Sequence, residues 1–266
     1  MESLLCAVIT LACLPTIGAA SAETTFTLVK DGKPACSIII AENPSYNASL
    51  GAKELQSYIQ RISGARLEIH PDTERIGEGG KILVGRSRLT DAIAGLKIPA
   101  GLTINLREEG YVIDCKGDTL VLAGNDTIVK DSREDKIRCP IVEGSTMGES
   151  MYLGTRYAVY DLLNRLGVRW FMPGEYGEVI PRLATLEVPA FSAEERPDFP
   201  VRAYGIATDG EQMSHDLFVW LLHNRMNPRS VGWFGMVADG TLVNLLPKDQ
   251  VKAHPEWFAL QPDGSR

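Results

Sequence analysis

Apolar residues in this chain follow two rhythms that take turns along its length. Short alternating runs rich in β-branched and aromatic residues predict strands at 24–30 (TTFTLVK) and 36–41 (CSIIIA), with Asp31-Gly32 turning between them. Leu55, Tyr58, Ile59 and Ile62 recur at helical spacing and predict a helix over 46–63 with one apolar face, ended by Gly64. Strand patterns return at 66–70 and 81–84 (KILV), and Ser87 is placed to cap a short helix over 89–96. Strands at 111–115 and 119–123 flank Lys116-Gly117-Asp118, a hairpin signal. Residues 124–151 are polar and mixed in charge, and they read as a long loop.

The stretch 154–181, GTRYAVYDLLNRLGVRWFMPGEYGEVIP, joins both rhythms. Val159, Leu162, Leu163 and Leu166 predict a helix, Gly167 its stop, and 168–171 a short aromatic strand. A turn bearing Glu175 and Glu178 between glycines follows. Another strand is predicted over 185–188. The charged, proline-ended run Ser192 to Pro197 reads as a linker within 191–197. Beyond it come a strand at 199–206, a helix over 214–226 with Leu217, Trp220, Leu221 and Asn224 on one side, and strands at 231–237 and 257–260.

These elements define an α/β chain. A mixed-sheet α/β layer domain over about 23–190 is followed from 198 to 266 by the first units of a (β/α)8-type barrel. That second part holds 69 residues, against about 250 for a complete barrel. The barrel, and with it the protein, is therefore expected to continue past this sequence.

The net charge of -7 and pI of about 5.2 argue against nucleic acid or an anionic membrane as the main partner. Residues 4–14 (LLCAVITLACL) and Ala20-Ser21-Ala22 form a signal peptide cut after Ala22, which predicts a secreted or periplasmic protein. Cys13 offers lipid anchoring as a lesser alternative. No later segment reaches membrane-spanning length. Cys36, Cys115 and Cys139 remain after cleavage, without metal-type spacing. They read as buried thiols or as one disulfide and a leftover. No metal and no cofactor is expected. Two glycosylation sequons begin at Asn47 and Asn125.

The segments GAKELQSYIQRISG (51–64), 154–181, RPDFPVRAYG (196–205), NRMN (224–227) and HPEWFAL (254–260) together resemble a family of secreted bacterial proteins. Its members join an alpha-glucuronidase-like N-terminal domain to a large domain of unknown function numbered 4838. The first domain is also similar to the non-catalytic α/β domain that precedes the barrel in family 67 alpha-glucuronidases and family 20 beta-hexosaminidases. The resemblance implies a glycoside hydrolase-like protein acting on polysaccharide, with catalytic acids beyond residue 266. A non-catalytic glycan-binding or structural module is the alternative.

Glycoside hydrolysis generally needs two carboxyl groups. Asp209 and Glu211, just after the first candidate barrel strand, are acids at a suitable place, although loop carboxylates are more often simply solvated. Trp170 and Phe171 offer either a sugar-stacking platform or core packing, with Phe171 expected in the core. Arg169 is expected on Phe171's side, where it could grip a uronate carboxylate. Glu175 and Glu178 face either a ligand or the second domain. Arg202 and Tyr204 alternate along one strand toward a barrel mouth, and His254 and Glu256 sit beside Trp257. The candidate binding set is thus Arg169, Trp170, Glu175, Tyr204, Asp209, His254 and Glu256. No catalytic residue is assigned, and Trp170 and Glu175 are expected to line a shared cleft without performing the chemistry.

Overall fold

The computed structural model describes residues 25–101, 110–130, 149–198, 202, 211–226, 254–255 and 263–264. In chain order these form β1 (Thr25–Lys30), β2 (Lys33–Pro34), β3 (Cys36–Ile40), α1 (Tyr46–Ser63), β4 (Ile69–Pro71), β5 (Gly80–Val84) and α2 (Arg88–Asp91). After them come β6 (Tyr111–Lys116), β7 (Thr119–Gly124), β8 (Ile128–Lys130), β9 (Glu149–Met151) and α3 (Gly154–Arg165). The remaining elements are β10 (Arg169–Trp170), β11 (Glu178–Val179), β12 (Leu186–Pro189), β13 (Phe191–Glu195) and α4 (Glu211–His223).

A six-stranded mixed sheet, ordered β13-β6-β7-β5-β3-β4, is the frame. Strands β4, β3, β5 and β7 run parallel, while β6 and β13 are antiparallel additions at the other end. Side-chain alternation sorts each strand between two cores. Ile38, Ile82, Val84, Ile113, Leu120 and Leu122 face α1 and α3 in the main core. Ile39, Leu83, Val112, Val121 and Ala123 form a smaller cluster on the reverse face, covered by Ile76, Ile93, Leu96 and Ile98. A second sheet, β12-β1-β2, closes the main core with Phe26, Leu28, Val29, Leu186 and Val188.

The helices follow from their sequences. Ser45 caps α1 by accepting a hydrogen bond from the Ala48 N–H (3.0 Å), and Gly64 ends it with φ 80°. Leu55, Tyr58, Ile59 and Ile62 are buried as their spacing predicts. Helix α3 carries the predicted Val159, Leu162 and Leu163, but it also buries Arg156, Tyr157 and Tyr160, because it is packed between α1, the sheet and α4.

Several elements differ from their expected form. Residues 191–195, read as linker, are the edge strand β13, paired with β6 from Phe191 opposite Cys115 to Glu195 opposite Tyr111. Phe191 and Ala193 lean inward while Ser192 and Glu194 face water, a charged edge of the kind that discourages further pairing. Within the expected loop, β8 and β9 pair antiparallel, and 131–148 lie outside the described residues. The strand near 66–70 is displaced to Ile69–Pro71, where it lies parallel to β3. Helix α2 stops after one turn, with Ser87 and Thr90 forming a reciprocal capping box.

Cys36 and Cys115 are buried free thiols. Burial pushes the Cys36 thiol up to about 12, and Cys115 also rises, chiefly through burial. Asn47 and Asn125 spend their side-chain amides on Tyr152 O (2.6 Å) and Gly101 O (3.0 Å), so both sequons begin with buried, engaged residues. Among the described residues no helix is long and apolar enough to cross a membrane, and no metal-ligating cluster of three or more occurs. The leader at 1–22, Cys139, and the barrel strands expected at 199–206, 231–237 and 257–260 are not placed by the described residues, Arg202 aside.

Candidate functional site

Past α3 the chain reverses through a tight hairpin. Arg169 lies opposite Val179 and Trp170 opposite Glu178. The Phe171 N–H donates to Gly177 O (2.9 Å), and the Gly177 N–H to Gly174 O (3.1 Å). A side chain at position 177 would run into the Met172 carbonyl, so the turn closes only on glycine.

Pairing with β11 decides the alternation. Trp170 points inward at 6% exposure, and Phe171 outward at 68%, so the expected core role of Phe171 is overturned. Arg169 shares Phe171's exposed side as expected. Its guanidinium Nη1 donates to the carbonyls of Asn164 (2.5 Å) and Val168 (2.7 Å), tying up the end of α3.

Helix α4 lays His223 flat on Trp170, with ring centroids 4.5 Å apart and planes at 24°. Tyr58 and Tyr160 meet this stack edge-on, at 5.6 and 6.0 Å from Trp170 and 5.9 and 4.9 Å from His223. Each tyrosine belongs to a trio. Tyr58 accepts from Trp170 Nε1 (2.9 Å) and donates to Glu178 Oε1 (2.5 Å), whose Oε2 takes a 2.5 Å bond from Arg61 Nη2. Tyr160 donates to Glu54 Oε2 (2.8 Å), while Arg156 reaches both Glu54 oxygens at 2.7 and 3.3 Å.

The titrations follow from these contacts. Burial, with the Glu178 bond, holds the Tyr58 phenol protonated, and burial with Glu54 does the same for Tyr160. Burial pulls the His223 imidazole down to about 4, so it is neutral at physiological pH. For Glu178 burial pushes upward, but the bonds from Tyr58 and Arg61 outweigh it and hold the carboxyl below its usual range. A carboxylate held ionised in this way is a poor proton donor.

Helix α4 is fastened at several points. Trp220 Nε1 and Asn224 Nδ2 donate to Trp170 O at 3.0 and 3.3 Å. Tyr157 donates to Met226 O (2.8 Å), and Arg225 Nη1 to Tyr111 Oη (2.8 Å). Arg202 Nε donates to Arg225 O (2.9 Å).

Between the hairpin and α4 lies a cleft of about 310 Å³, near the lower end of small-molecule sites, about 300–1,000 Å³. Trp170 and His223 form its buried floor, with Trp220 and Met172 beside them. Glu175, Glu178, Asp216, Arg61 and His215 supply its polar lining. Of the sequence candidates, Trp170 and Glu175 come together here. Arg169 and the half-buried His254 do not line the cleft, and Tyr204, Asp209 and Glu256 are not among the described residues.

His223, Asp216, Arg61 and Tyr58 escaped the sequence reading. Their signal was available as spacing. Asp216, Trp220 and His223 stand at i, i+4 and i+7 on α4, and Glu54, Tyr58 and Arg61 stand at the same intervals on α1. Chemically, the cleft offers indole surface, ionised oxygens that accept from hydroxyls, and a neutral imidazole.

No family model matches this chain, and no relative is found among curated proteins. Among solved structures it is similar to a family GH115 4-O-methyl-alpha-glucuronidase with specificity for decorated arabinogalactans. The identity is 18% and the TM-score 0.48, over 76% of this chain and 25% of that one. The chain thus spans about a quarter of the length of that glucuronidase.

Proposed function

We propose that this chain is part of a secreted carbohydrate-active protein of glycoside hydrolase type, and that the cleft beside α4 receives a saccharide. The observation carrying this reading is the joint presence of indole surface and carboxylates in one cleft. A sugar has an apolar C–H face that packs on aromatic rings and a hydroxyl rim that donates to carboxylates. The motif resemblance supports an alpha-glucuronidase-type architecture, with a (β/α)8-type barrel beginning near residue 198 and the catalytic acids beyond 266. The leader pattern supports export, with cleavage after Ala22. The commitment of Glu178 to Tyr58 and Arg61 favours binding over chemistry for the cleft itself.

Affinity electrophoresis of the chain in gels containing plant and algal polysaccharides tests this. At least one polysaccharide should retard the protein, and combining Glu175→Gln with Asp216→Asn should weaken that retardation severalfold. Free migration in every gel would sink the reading.

A further inference from the structure

We propose that the outer side of the hairpin is a second saccharide-binding surface, on which Phe171 and Tyr176 hold a polysaccharide chain as it leaves the cleft. This rests on the saccharide reading above and extends it from a short sugar to a polymer. Six large apolar side chains stand exposed among the described residues, and four of them, Phe171, Met172, Tyr176 and Val179, belong to this one hairpin. Single apolar residues at a surface are ordinary, whereas a group gathered on one element marks a contact surface. Tyr176, at 94% exposure, stands almost wholly in water.

Strand pairing sorts the side chains. Trp170 and Glu178 are opposite each other on the inner side, and Arg169 and Val179 on the outer side. One step further along, Phe171 lies opposite Gly177, which has no side chain, so the phenyl ring is left bare near Val179. Tyr176 follows Glu175, which lines the cleft together with Met172 and Gly174. The tip of the hairpin is therefore a rim between the cleft and the two open rings. These rings are also held in position beforehand. Gly177 closes the turn, the Phe171 and Gly177 N–H groups are bonded across it, and Trp220 and Asn224 of α4 fix the Trp170 carbonyl. A preorganised surface gives up little freedom on binding.

Continuity with the cleft and the chemistry of the rim name the occupant. At about 310 Å³ the cleft holds a short stretch of saccharide, so the remainder of a polymer has to cross the rim. There it meets the exposed Glu175 carboxylate, which accepts from hydroxyls, and then ring faces that pack on the C–H side of a sugar. Tyr176 adds a hydroxyl that can both give and take a hydrogen bond. A protein partner would bury the same apolar groups, but it would also have to cover Glu175 and the carboxylates of the cleft mouth beside them.

Titration calorimetry of the chain at pH 7 against cello-, xylo- and galacto-oligosaccharides, from disaccharide to hexasaccharide, tests this. In a series that binds, affinity should rise by about tenfold or more from the shortest to the longest member. Tyr176→Ala and Phe171→Ala should each weaken hexasaccharide binding about threefold, and together about tenfold, as expected for two ring contacts. The disaccharide, confined to the cleft, should change by less than about twofold. Both side chains lie in water, so the variants should unfold at the native midpoint, and Tyr176→Trp, which keeps an open ring, should bind like the native protein. Hexasaccharide affinity that ignores both substitutions, or that falls no more than disaccharide affinity, would overturn the platform and leave the cleft reading standing. Substitutions that dissociate a dimer in sedimentation while sugar binding is unchanged would give the surface to a second copy and overturn it equally. Only if no oligosaccharide binds and every polysaccharide gel leaves the chain unretarded does the cleft reading fall as well.

Discussion

The two trios that flank the Trp170–His223 stack use the same three residue types in different surroundings. Glu54, Arg156 and Tyr160 form the inner one, and the Arg156 side chain is 9% exposed. Glu178, Arg61 and Tyr58 form the outer one, with the Arg61 side chain 44% exposed at the cleft. Inside, the guanidinium cannot be rehydrated if its carboxylate is lost, so each member holds the others in place. At the cleft, water can solvate the Arg61 guanidinium if Glu178 is lost, and the attraction is correspondingly weaker. One chemical arrangement therefore braces the α1–α3 contact at one end and furnishes a polar wall at the other. Solvent access of the guanidinium, more than bond length, separates the roles, since the Arg–Glu distances are 2.7 and 2.5 Å.

Three experiments probe that contrast, taken from the largest effect down. Glu54→Ala strips the buried Arg156 of its carboxylate and should cost about 3–5 kcal/mol in denaturant unfolding. A loss below about 1 kcal/mol would erase the distinction between the trios.

The second is a pH series. His223 titrates near 4 in the folded protein, below its ordinary value of 6.5. Between those values the unfolded chain binds more protons, so the His223 contribution is complete above about pH 6.5 and is lost as pH falls toward 4. The change should be on the order of 3 kcal/mol, measured as the unfolding free energy of native protein relative to His223→Phe from pH 7 to 4. Glu178, with its folded pKa lowered, loses its contribution at lower pH, as the carboxyl is protonated. A native-to-variant difference that stays flat above pH 4.5 would mean that His223 is solvated in the folded state.

The third and smallest is Arg61→Ala. The Arg61 guanidinium is solvated and its loss leaves Glu178 with the Tyr58 hydrogen bond, so the cost should be about 0.2–1 kcal/mol, as for a surface pair, and the unfolding midpoint should move accordingly little. A cost above about 2 kcal/mol would make the outer trio a brace as well.

Local pattern recovered the elements whose neighbours lie nearby in sequence or whose faces are uniform. The apolar stripe of α1, the β6–β7 hairpin and the Ser87 cap were legible because each is written within a few residues. The strand Phe191–Glu195 was not, since an edge strand with one charged face has the composition of a linker. Alternation correctly put Trp170 and Phe171 on opposite sides but could not say which side was core. That choice belongs to β11 and to α4, whose His223 comes 53 positions after Trp170. The inner trio was hidden for the same reason, with Arg156 and Glu54 102 positions apart. Of the cleft, the hairpin wall was legible and the α4 wall was not.

The anchoring of α4 also bears on how such a protein could be reassembled during evolution. Arg225 adopts a left-handed backbone (φ 58°), rare for a residue with a side chain, and in that conformation reaches Tyr111 on the sheet. Met226 is tied to Tyr157 on α3, and Trp220 to the hairpin. A crossover placed at the charged run before residue 198 would leave these attachments behind and open a ring-sized hole among Tyr58, Tyr160 and Trp170. A recombination that preserved this packing would carry residues 211–226 along with the sheet.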